Sequence, residues 1–210
     1  MSRTIAMIVA AGRGHRASGG LPKQFRPVAG QSALRRSCTA FLRHPGVDAV
    51  RVVIRPADRA HYEAAVTGLD LAAPVAGGET RQESCRLGLE ALAAEGEREL
   101  DRILIHDAAR PFVDRGTIDR VLAALGRAPA VVAGMPLADT LKRVKPDGHI
   151  EHTVERRQLW RAQTPQGFDF RTILLAHRSA AGRELTDDSA VAEAAGVPVV
   201  MVEGSEDNVK

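Results

Sequence analysis

Short, uninterrupted apolar runs alternate with helical patterns along most of this chain, and that alternation decides the architecture. Five runs read as strands: residues 4–10, 49–54, 102–106, 130–135 and 197–202. Continuous apolar character over so few residues is expected of strands buried on both faces. Helical periodicity fills 32–43, 59–67, 80–94, 117–125, 170–178 and 188–195. In the third of these, Cys85, Leu89 and Leu92 share one face, and Asp187 or Asp188 is placed to cap the last. The expectation is an α/β fold with a Rossmann-like, mostly parallel sheet covered by helices. A chain of 210 residues without a linker, internal repeat or low-complexity segment is read as one domain. One stretch departs from the alternation. Around Pro146-Asp147-Gly148, a turn signal, two β-like limbs face each other, and we expect a projecting β-hairpin arm over about 138–158. A polar hairpin is marginal alone, so it needs a surface to pack on, a partner subunit being one candidate.

Composition removes several functions. At 3% aromatic residues the chain is poor in the rings that stack single-stranded bases, so no nucleic-acid partner is expected. The apolar run Ile5 to Ala11 is far short of the roughly 20 residues that span a bilayer, and no membrane association is expected. Cys38 and Cys85 lie in apolar helical patterns without metal-ligand spacing and read as buried free thiols of a reducing, cytoplasmic protein. Charge is uneven. The first 47 residues hold eight arginines and lysines and no acid, whereas the remaining 163 hold 21 basic and 26 acidic side chains. A basic N-terminal lobe calls for an anionic partner: polyphosphate, nucleic acid or lipid headgroups.

Parallel α/β sheets bind ligands beyond the carboxyl ends of their strands. After the first strand comes Ala10-Ala11-Gly12-Arg13-Gly14-His15-Arg16, a loop able to bring backbone N–H groups against an anion. Its spacing imitates a dinucleotide fingerprint. However, the loop carries two arginines, and the ribose-binding acid due about 20 residues later is missing, since Asp48 is the first acid in the chain. No Gly-Lys-Ser/Thr is present, which removes a Walker loop. Pro22-Lys23-Gln24 follows, so that Lys23 and Arg16 can converge on one phosphate chain.

Gly12-x-Gly14-x-Arg16 with Pro22-Lys23-Gln24 resembles the signature of nucleotidyltransferases acting on phosphorylated sugars and polyols. Six further segments narrow the likeness: Gly77-Gly78-x-x-Arg81-x-x-Ser84, His106-Asp107-Ala108-Ala109-Arg110-Pro111, Asp139-Thr140-x-Lys142, Thr153-Val154-Glu155-Arg156 with Leu159-Trp160, Thr164-Pro165-Gln166, and Asp207-Asn208-Val209-Lys210. In that order they resemble the 2-C-methyl-D-erythritol 4-phosphate cytidylyltransferase family of the non-mevalonate isoprenoid pathway, over essentially the whole chain.

The resemblance implies CTP and methylerythritol phosphate as substrates and pyrophosphate as by-product. The nucleophile would be a phosphomonoester oxygen, already ionised near neutral pH because its second pKa is about 6. Such a reaction needs no general base. It needs positioning and neutralisation of charge, which suits a basic lobe without a triad. By resemblance the catalytic set is Arg16, Lys23, Arg156 and Lys210. CTP would contact Ala10, Ala11, Gly12 and Gly14 in the loop, Gly78, Glu79 and Ser84 in the base-binding segment, and Asp107 with Ala108. The phosphorylated alcohol would meet Asp107, Arg110, Thr140, Arg156, Thr164 and Lys210. Asp107 is also the expected Mg²⁺ ligand, a carboxylate suited to a hard ion that keeps most of its waters. Its alternative is a helix cap or a partner for Arg110. Glu79 stands where the family has aspartate and Ala17 where it usually has methionine. His106 reads as a packed strand-end residue, since one His-Asp pair is too few for a metal site.

The family further implies a homodimer in which Thr140 and Arg156 of the arm act in the neighbouring subunit's site. It also implies a C-terminal tail, or a fused enzyme of a later step, beyond Lys210. Two rivals remain at this level: a ribitol-5-phosphate cytidylyltransferase, sharing the loop and the Thr-Pro-Gln segment, and a non-catalytic nucleotide or nucleic-acid binder using the basic lobe.

Overall fold

The computed structural model describes residues 2–12, 20–95 and 100–210. Gly14, Arg16 and Ala17, singled out in the glycine-rich loop, lie outside the described residues. The elements follow the alternation in the sequence. The first half runs β1 (Arg3–Val9), β2 (Pro27–Val28), β3 (Gln31–Ser32), α1 (Ala33–Leu42), β4 (Ala49–Ile54), α2 (Arg59–Val66), β5 (Val75–Ala76), α3 (Arg81–Ala94) and β6 (Leu100–Asp107). The second runs α4 (Arg115–Ala124), β7 (Ala130–Pro136), β8 (Leu141–Val144), β9 (Ile150–Val154), β10 (Trp160–Asp169), α5 (Phe170–Ser179), α6 (Asp188–Ala194) and β11 (Val199–Glu203).

Seven strands form one sheet in the order β11-β7-β10-β6-β1-β4-β5. β1 pairs in parallel with β4 and β6, β4 with β5, and β7 with β11. The alternation of side chains along β1 explains its unbroken apolar run. Ala6 and Ile8 enter one core with Leu34 and Phe41 of α1, Tyr62 of α2 and Ile118 and Val121 of α4. Ile5, Met7 and Val9 enter the other with Cys85, Leu89 and Leu92 of α3, Ile173 of α5 and Val191 of α6. Burying one such aliphatic side chain contributes about 1.5–3 kcal/mol. Both cysteines are buried free thiols, and burial pushes Cys38 up to about 12.

Besides the two-residue strands β2, β3 and β5, the sequence reading lacks β10. It runs antiparallel between β6 and β7, at the centre of an otherwise parallel sheet. It contains Pro165, which offers no N–H, and its pairing with β7 skips from Ala162 to Gln166. Because it runs against its neighbours, its first residues lie at the edge where the other strands end. The expected hairpin is present: β8 and β9 pair only with each other in a separate two-stranded sheet, from Leu141 opposite Val154 to Val144 opposite Ile150. Gly148 closes its turn with φ +88°, which favours glycine.

Candidate functional site

The ends of β1, β4, β5, β6, β7 and β11 and the start of β10 meet along one edge of the sheet. Ala10 continues β1 by donating its N–H to the Val53 carbonyl at 2.8 Å. The Gln24 amide donates to the carbonyls of Ala10 at 2.8 Å and Gly12 at 3.2 Å. Gln24 is buried in a short 3-10 turn, Lys23–Phe25, so Lys23 is carried on a turn anchored to the loop wall.

The segment after β5 lies against this loop. The Gly77 N–H bonds the Ile54 carbonyl at 2.7 Å. A Cβ on Gly77 would come within 2.7 Å of Ala11 Cβ and 2.8 Å of Ser84 Oγ, so only glycine permits this approach. Ser84 is fully buried; its hydroxyl donates to the Thr80 carbonyl at 2.8 Å and accepts from the Gly78 N–H at 3.1 Å. Thr80 caps α3 by accepting from the Glu83 N–H at 3.0 Å. The Glu83 carboxylate takes the Glu79 N–H at 2.8 Å, leaving the Glu79 side chain exposed.

Asp107 is the last residue of β6, and its partners differ from the expected Arg110. One carboxylate oxygen accepts from Arg81 Nε at 2.9 Å, the other from Lys210 Nζ at 2.8 Å. Burial alone would raise its pKa, but the two cations outweigh it and hold the carboxyl well below the usual carboxylate range. Arg81 in turn donates from Nη2 to Asp188 at 2.7 Å, and Asp188 pairs through its other oxygen with His177 Nε2 at 3.1 Å. His177 and Asp188 are both buried. The α6 cap is therefore Asp187, which accepts from the Ala190 N–H, while Asp188 serves the ion network.

Thr164 joins the same cluster. Its hydroxyl oxygen accepts from the Asp107 N–H at 3.1 Å and lies 2.9 Å from His106 Nδ1. His106 Nε2 lies 3.0 Å from the Arg110 carbonyl, so both ring nitrogens are used. It is the packed strand-end histidine expected, and burial lowers its pKa to about 4. Arg110 Nη1 donates to the Asn208 carbonyl at 2.7 Å, and its buried Nε has no hydrogen-bond partner. The Asn208 amide donates to the Thr164 carbonyl at 2.7 Å, and Gln163 donates to the Ser205 carbonyl at 2.8 Å. These bonds fold residues 204–210 back across the strand ends and deliver Lys210 to Asp107.

Thr140 and Arg156 are elsewhere. Both are exposed and line a shallow pocket of about 310 Å³ with Thr153, Val154 and Glu155 of the hairpin. None of the Asp107 cluster lines it. The structure thus brings Asp107, Ala108, Arg110, Thr164 and Lys210 together, sets Gly77 and Gly78 against Ala11 and Ser84, and puts Thr140 with Arg156 in another pocket. The sequence reading passed over Arg81, although Arg81 stands in the quoted Gly77–Ser84 motif, and over Asp188 and Asn208. No three metal-ligating side chains gather among the described residues. Both Asp107 oxygens are paired with cations of the protein, Arg81 and Lys210.

The family model described as IspD, 2-C-methyl-D-erythritol 4-phosphate cytidylyltransferase, matches residues 4–210. The bifunctional enzyme IspD/IspF of Paramagnetospirillum magneticum is 52% identical over 210 residues, covering 100% of this chain and 54% of that protein. That of Rhodospirillum rubrum is also 52% identical, again covering 100% of this chain and 54% of the relative. The chain thus spans about half the length of these curated relatives. The solved 2-C-methyl-D-erythritol 4-phosphate cytidylyltransferase from Thermus thermophilus superposes with a TM-score of 0.79 at 34% identity, over 100% of this chain and 92% of that one. A solved 4-diphosphocytidyl-2C-methyl-D-erythritol synthase gives 0.86 at 33% identity, over 99% and 92%. The family model spans residues 4–210 and both curated relatives are 52% identical over the whole chain, so the chain belongs to the 2-C-methyl-D-erythritol 4-phosphate cytidylyltransferase family.

Proposed function

We propose that this chain transfers CMP from CTP to 2-C-methyl-D-erythritol 4-phosphate, giving 4-CDP-2-C-methyl-D-erythritol and pyrophosphate. The observation that carries this reading is the convergence of Asp107, Arg110, Thr164 and Lys210 at the strand ends beside the Ala10–Gly12 loop. A phosphate oxygen of the alcohol attacks the α-phosphorus of CTP. The bond from that phosphorus to the oxygen bridging the β-phosphate breaks, and pyrophosphate leaves with the electron pair. No proton must be removed from the nucleophile, so the protein's task is to bring anions together and offset their repulsion. Lys23, with Arg16, neutralises the α-phosphate. The loop amides of Ala11, Gly12 and Gly14 cradle the triphosphate, with Ala10 forming the wall behind them. Gly78 and Glu79 present backbone groups to the cytosine edge, Ser84 holds their turn, and Asp107 with Ala108 borders the ribose and phosphates. Arg110, Thr164 and Lys210 receive the phosphorylated alcohol. Mg²⁺ held by Asp107 and the triphosphate would supply further shielding of negative charge.

The hairpin enters the same proposal. Val144, Ile150, Leu159 and Trp160 on or beside it are large apolar side chains that are at least 39% exposed. Packed against a second copy, the hairpin would carry Thr140 and Arg156 into the partner's site, making a homodimer with shared sites. No helix among the described residues is long and apolar enough to cross a membrane, and a cytoplasmic location suits the two free thiols.

The test is pyrophosphate release with CTP and Mg²⁺, comparing methylerythritol 4-phosphate with ribitol 5-phosphate. Release with the first alone is expected. Release with ribitol phosphate alone would keep the triphosphate site and overturn the alcohol specificity. Salt-sensitive nucleic-acid binding with no turnover on either alcohol would overturn the enzymatic reading.

A further inference from the structure

The cluster continues behind the site in a way the proposed reaction does not use. His177, Asp188, Arg81, Asp107 and Lys210 form an unbroken chain of contacts of 3.1, 2.7, 2.9 and 2.8 Å. It starts inside α5, crosses the first residues of α6 and α3, and ends at the mouth of the site. Its two ends differ in exposure: the side chains of His177 and Asp188 are 0% and 1% exposed, and that of Lys210 is 41% exposed. The inner end is buried and the outer end is open to solvent.

Arg81 is the joint. Its guanidinium gives Nε to one carboxylate and Nη2 to another, so it fixes Asp107 relative to Asp188 in direction as well as distance. Asp188 offsets the cost of holding that cation where burial opposes it, and His177 takes the remaining Asp188 oxygen. As a stabilising device the network has little value, since buried ion pairs roughly break even against apolar packing. As a positioning device it has a definite result. One Asp107 oxygen is committed to Arg81, and the other faces Lys210, the more exposed partner.

We infer that Arg81 and Asp188 are positioning residues for Asp107, holding one carboxylate oxygen so that the other keeps Lys210 aimed at the reacting phosphates. The inference rests on the reaction proposed above. Lysine at position 81 keeps the charge but cannot bridge two carboxylates in a fixed plane. Asparagine at 188 keeps the shape and loses the charge.

The experiment measures kcat and KM for both substrates in wild type, Arg81→Lys and Asp188→Asn, with melting curves and crystal structures of each variant. Arg178→Gln is the control: it breaks an exposed 2.6 Å ion pair with Glu90 that joins α5 and α3, the helices carrying His177 and Arg81. We expect kcat to fall about 10–100-fold in Arg81→Lys and about 10-fold in Asp188→Asn, with each KM within about threefold. The Asp107 carboxylate should be turned in the crystal, and Arg178→Gln should stay within about twofold of wild type. Folded variants with wild-type kcat would overturn the inference, as would a raised KM at unchanged kcat, which would make Arg81 a substrate ligand. Should Arg81→Lys fail to fold, Asp188→Asn decides by the same criteria. If wild type itself turns over neither alcohol, the proposed reaction fails, and the inference then stands or falls on whether the Asp107 carboxylate moves.

Discussion

His106 and Asp107 are adjacent in sequence and live under opposite electrostatics. Successive strand residues point to opposite faces. His106 turns into the core, against the Phe41 ring at 4.9 Å and between Thr164 and the Arg110 carbonyl. Asp107 turns toward Arg81 and Lys210. The histidine is held neutral and the carboxylate charged. Because burial lowers the His106 pKa from 6.5 to about 4, the unfolded chain binds more protons than the folded one between those values. Stability therefore falls as pH drops from about 6.5 to 4, by about 3 kcal/mol in full. The depressed carboxyls of Asp107 and Asp188 lose their contribution only below the ordinary carboxylate range, near 3.8, so the windows are separate. Urea melts of wild type and His106→Asn at pH 7, 6, 5 and 4.5 should give a flatter profile for the variant. Equal slopes would mean His106 does not carry the effect. Sequence alone reads His106 correctly, because a lone His-Asp pair lacks metal-ligand spacing. It misses the Arg81–Asp188 pair because 107 positions separate the two, and no periodicity links residues that meet only when α3 and α6 start at the same sheet edge.

At the scale of elements, the strands and helices with apolar periodicity were legible and β10 was not. Its central residues Gln163, Thr164 and Gln166 are polar yet buried, so hydropathy gives no strand signal. They tolerate burial because their side chains are paired. Gln166 donates to Asp187 at 2.8 Å and accepts from the Ser189 N–H at 2.9 Å, and Gln163 bonds the 204–210 segment. A central strand stabilised by helix caps and a C-terminal segment depends on contacts that a local pattern does not contain. Helix–sheet packing supplies the converse case. Gly88 in α3 looks like a weak point in a helix, costing about 1 kcal/mol relative to alanine. In the fold, a Cβ there would come within 2.4 Å of Met7 Sδ and 2.8 Å of Val53 Cγ2. Overpacking of about 1–3 kcal/mol outweighs the helix-propensity gain. Gly88→Ala should therefore lower Tm by a few degrees, where propensity alone predicts a rise. A raised Tm in calorimetry would show that Met7 and Val53 give way at little cost.

For the whole molecule, charge relates the hairpin to the strand-end cluster. Eight of the cationic side chains precede the first acid, and Lys23 among them stands on the turn whose Gln24 is bonded to the Ala10–Gly12 loop. The two anionic substrates nevertheless need cations on both sides, and the hairpin holds Arg156 in a pocket separate from the Asp107 cluster. A hairpin with exposed Val144 and Ile150, paired only with itself within the described sheets, gains from burial against a second copy. If Arg156 completes the partner's site, Lys23→Ala removes a group from one side of the shared site and Arg156→Ala from the other. Each variant alone should be nearly inactive. Mixed in equal amounts and allowed to exchange, half the dimers are heterodimers. In each of these one site holds both lesions and the other holds none, so activity should recover to about one quarter of wild type. Light scattering must find a dimer for this to hold. A dimer with no recovery would return Arg156 to its own chain's site, and a monomer with full activity would remove the shared site altogether.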